Sequence, residues 1–474
     1  MAAGDQDDEG NDIGASDEAP AGDDVEVDED SDLAADEIQR VSDDIAHLRP
    51  LLSQAVTAQW RESIGRSLMT PGLQAAIAQN LLPSVRMNLN PKLFRALSIM
   101  PERQTPFPGL RADSYIFAVN ALTRARTYEE PDPPSSPYSP QLTTVGNYFA
   151  NDEVRIESFS DLTKAIDILV RKTEGLQLVW RGAKDANWGI HSSLYRRLLR
   201  INGVVLPEED PQGDQAFPDE AQMVAAEKQI LRTARSDWRF DGMSALETFA
   251  RLQHVGGPTR LLDVTKNPFV GAWFAVEDDP GTDEADARLT AFATGPVVAH
   301  GKSAPPSSQI ELDADWGART PPWHLWTDAT ARQAVDWGTG ARRRFWVPPT
   351  YDPRIAAQNA GFIIDGVPIT SGRIRSYFKS NQPGESPTYW NRADLLAASC
   401  VYAKTFKPTR TPRSNQFSLA PTFTFRITAA AKADIRTMLI ARFGYTRSYI
   451  YPDMAALSDH LYKSDLPGPE AMQE

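Results

Sequence analysis

One cysteine in 474 residues, Cys400, excludes an internal disulfide and fits a reducing compartment. The six histidines are scattered, with no His-x-x-x-His and no Cys-x-x-Cys, so no metal site is expected. No apolar run approaches the roughly 20 residues of a membrane helix, and no membrane association is expected. The first residues are acidic where a secretory leader carries base, and the chain is read as cytoplasmic. Basic excess is lacking too. The net charge is −14, which argues against a general nucleic-acid-binding surface.

That charge is unevenly placed. Residues 1–40 hold 16 Asp and Glu against one Arg, so nearly all of it belongs to a tail and the rest of the chain is close to neutral. Few large apolar groups and self-repelling charge predict disorder over 1–40. Two readings of the tail stay open: a solubilising segment, or a mask over a basic surface. A hydrophobic content of 41% and 11 tryptophans permit a substantial core beyond the tail.

Residues 41–128 show apolar positions at helical spacing and predict a helical region. The stretch EEPDPPSSPYSP predicts an extended linker over 129–150. From 151 to 464 strands and helices alternate without a regular βαβ rhythm. Helices are expected at Phe159–Arg171, Ala221–Ser236, Ser244–His254, from Asn267 onward, at Thr428–Phe443 and at Pro452–Tyr462. Strands are expected at Leu176–Trp180, Thr259–Val264, Ala287–Thr294, Arg344–Val347, Gly361–Ile364 and Thr422–Ile427. Segments 205–220 and 300–337 read as insertions, and 465–474 as a flexible end.

Three places could carry chemistry. Trp180-Arg181-Gly182 follows a strong apolar strand. An arginine there offers a planar five-donor fork for phosphate or carboxylate, and the glycine lets a ligand approach the main chain. The other reading pairs Arg181 with an acid at the core edge. The second place is QHVGGPTRLLDVTKNPFVGAWFA, Gln253–Ala275. Gly256, Gly257 and Pro258 stop a helix and fix the start of a strand. Period-two alternation puts Asp263 and Thr265 on one side of it. Asn267 caps a helix with Pro268 in its first turn, so a hydroxyl, a strand end and a helix N-terminus come together. Those parts suit a phosphate or ribose. They equally suit an Arg260–Asp263 ion pair with Thr265 as a cap. The third is DPRIAAQNAGFII, where Gln358 stands between a short helix and a strand and could reach a cleft or satisfy loop carbonyls. Five of the 11 tryptophans fall between Trp316 and Trp346, followed or flanked by Arg342, Arg343 and Arg344. Such a cluster either stacks on single-stranded nucleic acid or packs an insertion onto its host domain.

These residues together carry a resemblance. WRG, QHVGGPTRLLDVTKNP, the Arg354…Ala357-Gln358…Phe362 spacing and a late Ile450-Tyr451-Pro452-Asp453 look like the FRG domain, with Trp180 in the place of the phenylalanine. Val264, Gly257 and Ala360 depart from the usual pattern without removing a polar group. More remotely, the order of features is similar to the ADP-ribosyltransferase fold. The resemblance implies that Arg181 matches the arginine that holds NAD, Thr265 the hydroxyl that orients the ribose, and Gln358 the third element. That third element is usually a glutamate, which stabilises a cationic sugar as the glycosidic bond breaks.

The reading that results is an α+β chain: a mixed β-sheet core flanked by helices, behind a helical N-terminal region and a disordered acidic tail. The resemblance implies a cleft for NAD or another nucleotide and an ADP-ribosyltransferase-type toxin or defence effector, with a protein or nucleic-acid acceptor. Arg181, Thr265 and Gln358 would do the chemistry. Gly182, His254, Arg260, Asp263 and Asn267 would complete the cofactor site. The alternative is a non-catalytic nucleotide or nucleic-acid recognition module, with the N-terminal helices meeting a partner protein. A third reading leaves the motifs to fix the fold alone.

Overall fold

A computed structural model describes residues 131–297, 309–310, 318–326, 328–380, 388–414 and 418–463. The expected acidic tail, the N-terminal helical region with its partner surface, most of 300–317 and the C-terminal end lie outside the described residues.

The run Ala287–Ala293 is buried at every position, as a strand must be when apolar layers cover both faces. It sits inside an eight-stranded sheet. In chain order the strands are β1 (Val154–Ile156), β2 (Leu178–Ala183), β3 (Leu262–Thr265), β4 (Ala287–Ala293), β5 (Gln309–Ile310), β6 (Arg344–Trp346), β7 (Ala360–Ile364), β8 (Lys379–Ser380), β9 (Thr388–Tyr389) and β10 (Thr422–Ile427). Their order across the sheet is β1-β10-β4-β2-β3-β7-β6-β5, and β8 and β9 form a separate pair. β1–β10 and β5–β6 are parallel while the other pairs are antiparallel, so the sheet is mixed and the chain is α+β.

Alternation along β2 sorts the core. Val179 joins Phe292, Leu262, Val264 and Ile363 on one face, under the helices Ser193–Ile201 and Arg392–Ala398. Trp180 joins Leu289, Ala291, Phe423 and Phe425 on the other, under Phe159–Lys172, Pro268–Val276 and Ala429–Phe443. The helix Phe159–Lys172 starts where Ser158 accepts from the Asp161 N–H, and it buries Leu162, Ala165, Ile166 and Leu169 at helical spacing. No described helix is long and apolar enough to cross a membrane.

The proline-rich stretch is not a linker along its whole length. Proline fixes φ but leaves its carbonyl available, and neighbours use those carbonyls: Arg392 donates to Pro134 O, and Asn391 Nδ2 to Pro137 O at 2.7 Å. Beyond them Leu142, Val145, Tyr148 and Phe149 are core residues, and Val145–Ala150 is helical. Segment 205–220 is likewise packed down, with Gln215 and Phe217 buried.

The described tryptophans in and just beyond the second insertion face inward. Trp323, Trp326, Trp337 and Trp346 are buried, and Trp323 stacks on Trp337 at 5.2 Å. Arg343 is fully buried and donates to four backbone carbonyls and the Thr422 hydroxyl. Arg344 donates to the carbonyls of Asp336 and Val335. Neither guanidinium can reach a nucleic-acid backbone, so the described part of this cluster packs an insertion onto its host.

Candidate functional site

β2 and β3 pair at a single position, Trp180 opposite Thr265. Beyond it they part. β2 continues beside β4, and β3 continues beside β7. A cavity of about 1250 Å³ opens where they separate. Arg181, on the face shared with Val179, spans the gap: its Nη1 donates to the Asp263 carbonyl at 2.8 Å and lies 3.8 Å from the Asp263 carboxylate. The remaining donors of the fork face a space large enough for a nucleotide.

Six of the eight residues anticipated for the site line this cavity: Arg181, Gly182, His254, Asp263, Thr265 and Gln358. Gly182 serves a different end from close ligand approach. A Cβ there would lie 2.2 Å from Gly271 O and 2.5 Å from Ala275 N, so its bare backbone is what lets the helix Pro268–Val276 press onto β2. The Thr265 hydroxyl donates to the Gln358 carbonyl at 2.7 Å and accepts from the Asn267 N–H at 3.0 Å. The Gln358 amide donates to Ile450 O at 3.0 Å. Both side chains therefore hold the wall of the cavity in place.

The other two lie elsewhere. Asn267 caps its helix through Phe269 N and donates to the Tyr445 hydroxyl. Arg260 is buried and does not pair with Asp263. It binds Glu227 and Glu220, each at 2.8 Å, beside the stacked rings of Trp323 and Trp337. Trp323 and Trp337 donate their indole N–H groups to the same two carboxylates. Burial works against the charged form of Glu227, yet Arg260 and His324 hold its carboxyl down to about 2. This arginine fixes the fold. The signal for it lay in Glu220 and Glu227, two acids seven residues apart on the apolar face of the helix Glu220–Ser236.

Asp263 is left to the cavity. Gln253 Nε2 donates to its Oδ2 at 2.8 Å, and Gln253 Oε1 is braced by the Thr259 hydroxyl at 2.6 Å. The late motif clamps the far wall: Asp453 pairs with Arg354, and His254 Nε2 lies 3.0 Å from Asp352. His254, Asp352 and Asp453 stand close enough to share a cation, but the Arg354 guanidinium already neutralises Asp453.

Several lining residues had not been anticipated. Arg196 donates to His191 O at 2.7 Å, and burial, then the nearby Arg181, depresses its pKa. His191 is driven down to about 4 by burial, so it is neutral, and its Nε2 donates to Leu396 O. Trp188 is half exposed at the cavity. Arg288 stands out in sequence as the one charge within a strand of apolar and hydroxyl residues.

The model of the FRG domain matches residues 176–284, a span that includes both Trp180-Arg181-Gly182 and Gln253–Ala275 and ends before Arg354, Gln358 and Asp453. No curated protein and no solved structure matches the chain. The two motifs placed on the parted strands both fall within residues 176–284, the span that matches the FRG domain.

Proposed function

We propose that the cavity binds NAD or a related nucleotide, and that the domain transfers the ADP-ribosyl group to a nucleophile on a macromolecular acceptor. The observation that carries this reading is that Arg181 and Asp263, 82 residues apart in sequence, face each other across the gap between β2 and β3. Arg181 grips the pyrophosphate with the donors that Asp263 O does not use. Asp263 supplies the negative charge that a cationic ribose requires as nicotinamide leaves, a task the uncharged Gln358 cannot perform. The acceptor nucleophile then takes the anomeric carbon and gives up its proton. Thr265 and Gln358 shape the wall rather than touch the sugar. A protein or nucleic-acid acceptor and a toxin or defence setting rest on the family resemblance alone.

A second reading, binding without turnover, is favoured by one specific observation. Asp263 already shares its charge with Arg181 and Gln253, which weakens it as an electrostatic catalyst. One experiment separates the two. Incubating the full chain with NAD labelled in either half should release nicotinamide and label an acceptor, and Asp263→Asn should lower the release at least tenfold while NAD still binds. NAD binding with no release by the wild-type chain selects the second reading. Unchanged NAD binding by a folded Arg181→Ala variant removes Arg181 from both.

A further inference from the structure

The back of the same cavity holds a buried cation whose bonding is incomplete. Arg288 lines the cavity, and its side chain is 1% exposed. Its Nη1 makes one long bond to Trp188 O at 3.4 Å. Its Nη2 has no partner. Its Nε is 3.8 Å from Glu153, beyond hydrogen-bonding reach, and the other Glu153 oxygen is held by Arg426. Asp286 answers Arg426 at 3.6 Å, and Asp185 adds a more distant attraction to Arg288. One face of the guanidinium lies 4.0 Å over the Phe149 ring.

An unmet donor in a buried charged group is destabilising, and a ligand that supplies the missing acceptor recovers that cost. Sheet register says where such a ligand would lie. Arg181 stands opposite Thr290, and Arg288 stands opposite Ala183. Arg181 and Arg288 are therefore diagonal neighbours on one face of adjacent strands, about 7–8 Å apart at the backbone and within joint reach of one small ligand group. Arg181 is 22% exposed, so the two guanidiniums run from the outer to the inner part of the cavity.

We infer that Arg288 is an inner anion subsite, and that the ligand carries two linked phosphates, one held by Arg181 and the other by Arg288. The inference rests on the nucleotide reading above and narrows it to nucleoside diphosphates and dinucleotides over nucleoside monophosphates. Burial pushes Arg288 down to about 10, so it still carries its charge near neutral pH.

The probes are ADP, AMP and inorganic pyrophosphate, titrated calorimetrically into the full chain. Wild type should bind ADP at least tenfold more tightly than AMP, and pyrophosphate should compete with ADP. Arg288→Gln should bring ADP to the AMP level while leaving AMP unchanged, and Arg288→Lys should keep part of the preference. Equal wild-type affinities for ADP and AMP overturn the subsite, whether or not the Gln variant folds. A folded Gln variant that keeps the full ADP preference overturns it as well, while the nucleotide cleft stands. Wild-type protein that binds neither nucleotide sinks the cleft itself.

Discussion

Thr265 shows how a residue can stand in a site without acting in it. Its hydroxyl has one proton and it goes to Gln358 O; its lone pair receives the Asn267 N–H. The partners are on two junctions that shape the cavity wall, Asn267 between β3 and the helix Pro268–Val276 and Gln358 between the helix Pro353–Ala357 and β7. Thr265→Ala should thus cost about 1–3 kcal/mol in denaturant unfolding, because two buried backbone groups lose their partner. Thr265→Ser keeps both bonds and should lose only about 1 kcal/mol for the methyl. Nucleotide affinity should stay within twofold in both. A tenfold drop in affinity with unchanged stability would return Thr265 to the ribose. The same reasoning separates what was legible at this scale. Asp263 and Thr265 on one side of a strand followed from period-two alternation, and Asn267 as a cap followed from its place before Pro268. The bonding that occupies Thr265 could not be read, since its acceptor lies 93 residues away.

Elements whose signals are local came through with small boundary shifts. The helix expected at Phe159–Arg171 ends at Lys172, that at Ala221–Ser236 begins at Glu220, and the strand at Thr422–Ile427 is unchanged. Gly444, at φ 68°, closes the Ala429–Phe443 helix. The strand at Leu176–Trp180 instead runs on to Ala183, because β4 pairs with it through Arg181, Gly182 and Ala183. That pairing partner is about 110 residues distant, and a polar residue in a strand gives no local hint of it. Interelement ties are hidden for the same reason. Arg260 joins the strand of the central motif to the helix Glu220–Ser236 and to the tryptophan insertion. Removing it strands two buried carboxylates, so Arg260→Met should destabilise by about 3–5 kcal/mol. Adding Glu220→Gln and Glu227→Gln should recover part of that loss in guanidinium unfolding. If Arg260→Met alone cost nothing, the hub would be dispensable to the fold.

At the scale of the whole molecule the folded chain carries buried carboxyls pushed in opposite directions, and they shape its response to pH. Glu227 is held low by Arg260, so its contribution is present above the unfolded carboxyl pKa and is lost as pH falls from about 4.5 toward 2. Asp365 and Asp394 are both raised to about 6 by burial. For them the folded state binds more protons than the unfolded state between roughly pH 4 and 6, so their contribution declines as pH rises through that window. Asp365 gives the cleaner test. Its Oδ1 accepts from the N–H groups of Gly338 and Gly366, while its Oδ2 is buried without a partner. Asn in its place keeps the accepting oxygen and removes the ionisation. Asp365→Asn should match wild type near pH 4 and become more stable than it by about 1–3 kcal/mol at pH 7, since a tenfold change in proton affinity corresponds to about 1.4 kcal/mol. Urea unfolding at both pH values measures the difference directly. A gap that stays constant with pH, or one that favours wild type more at pH 7 than at pH 4, would mean that Asp365 is ionised in the folded chain at little cost, held by Arg344 and Arg343 more firmly than its burial opposes.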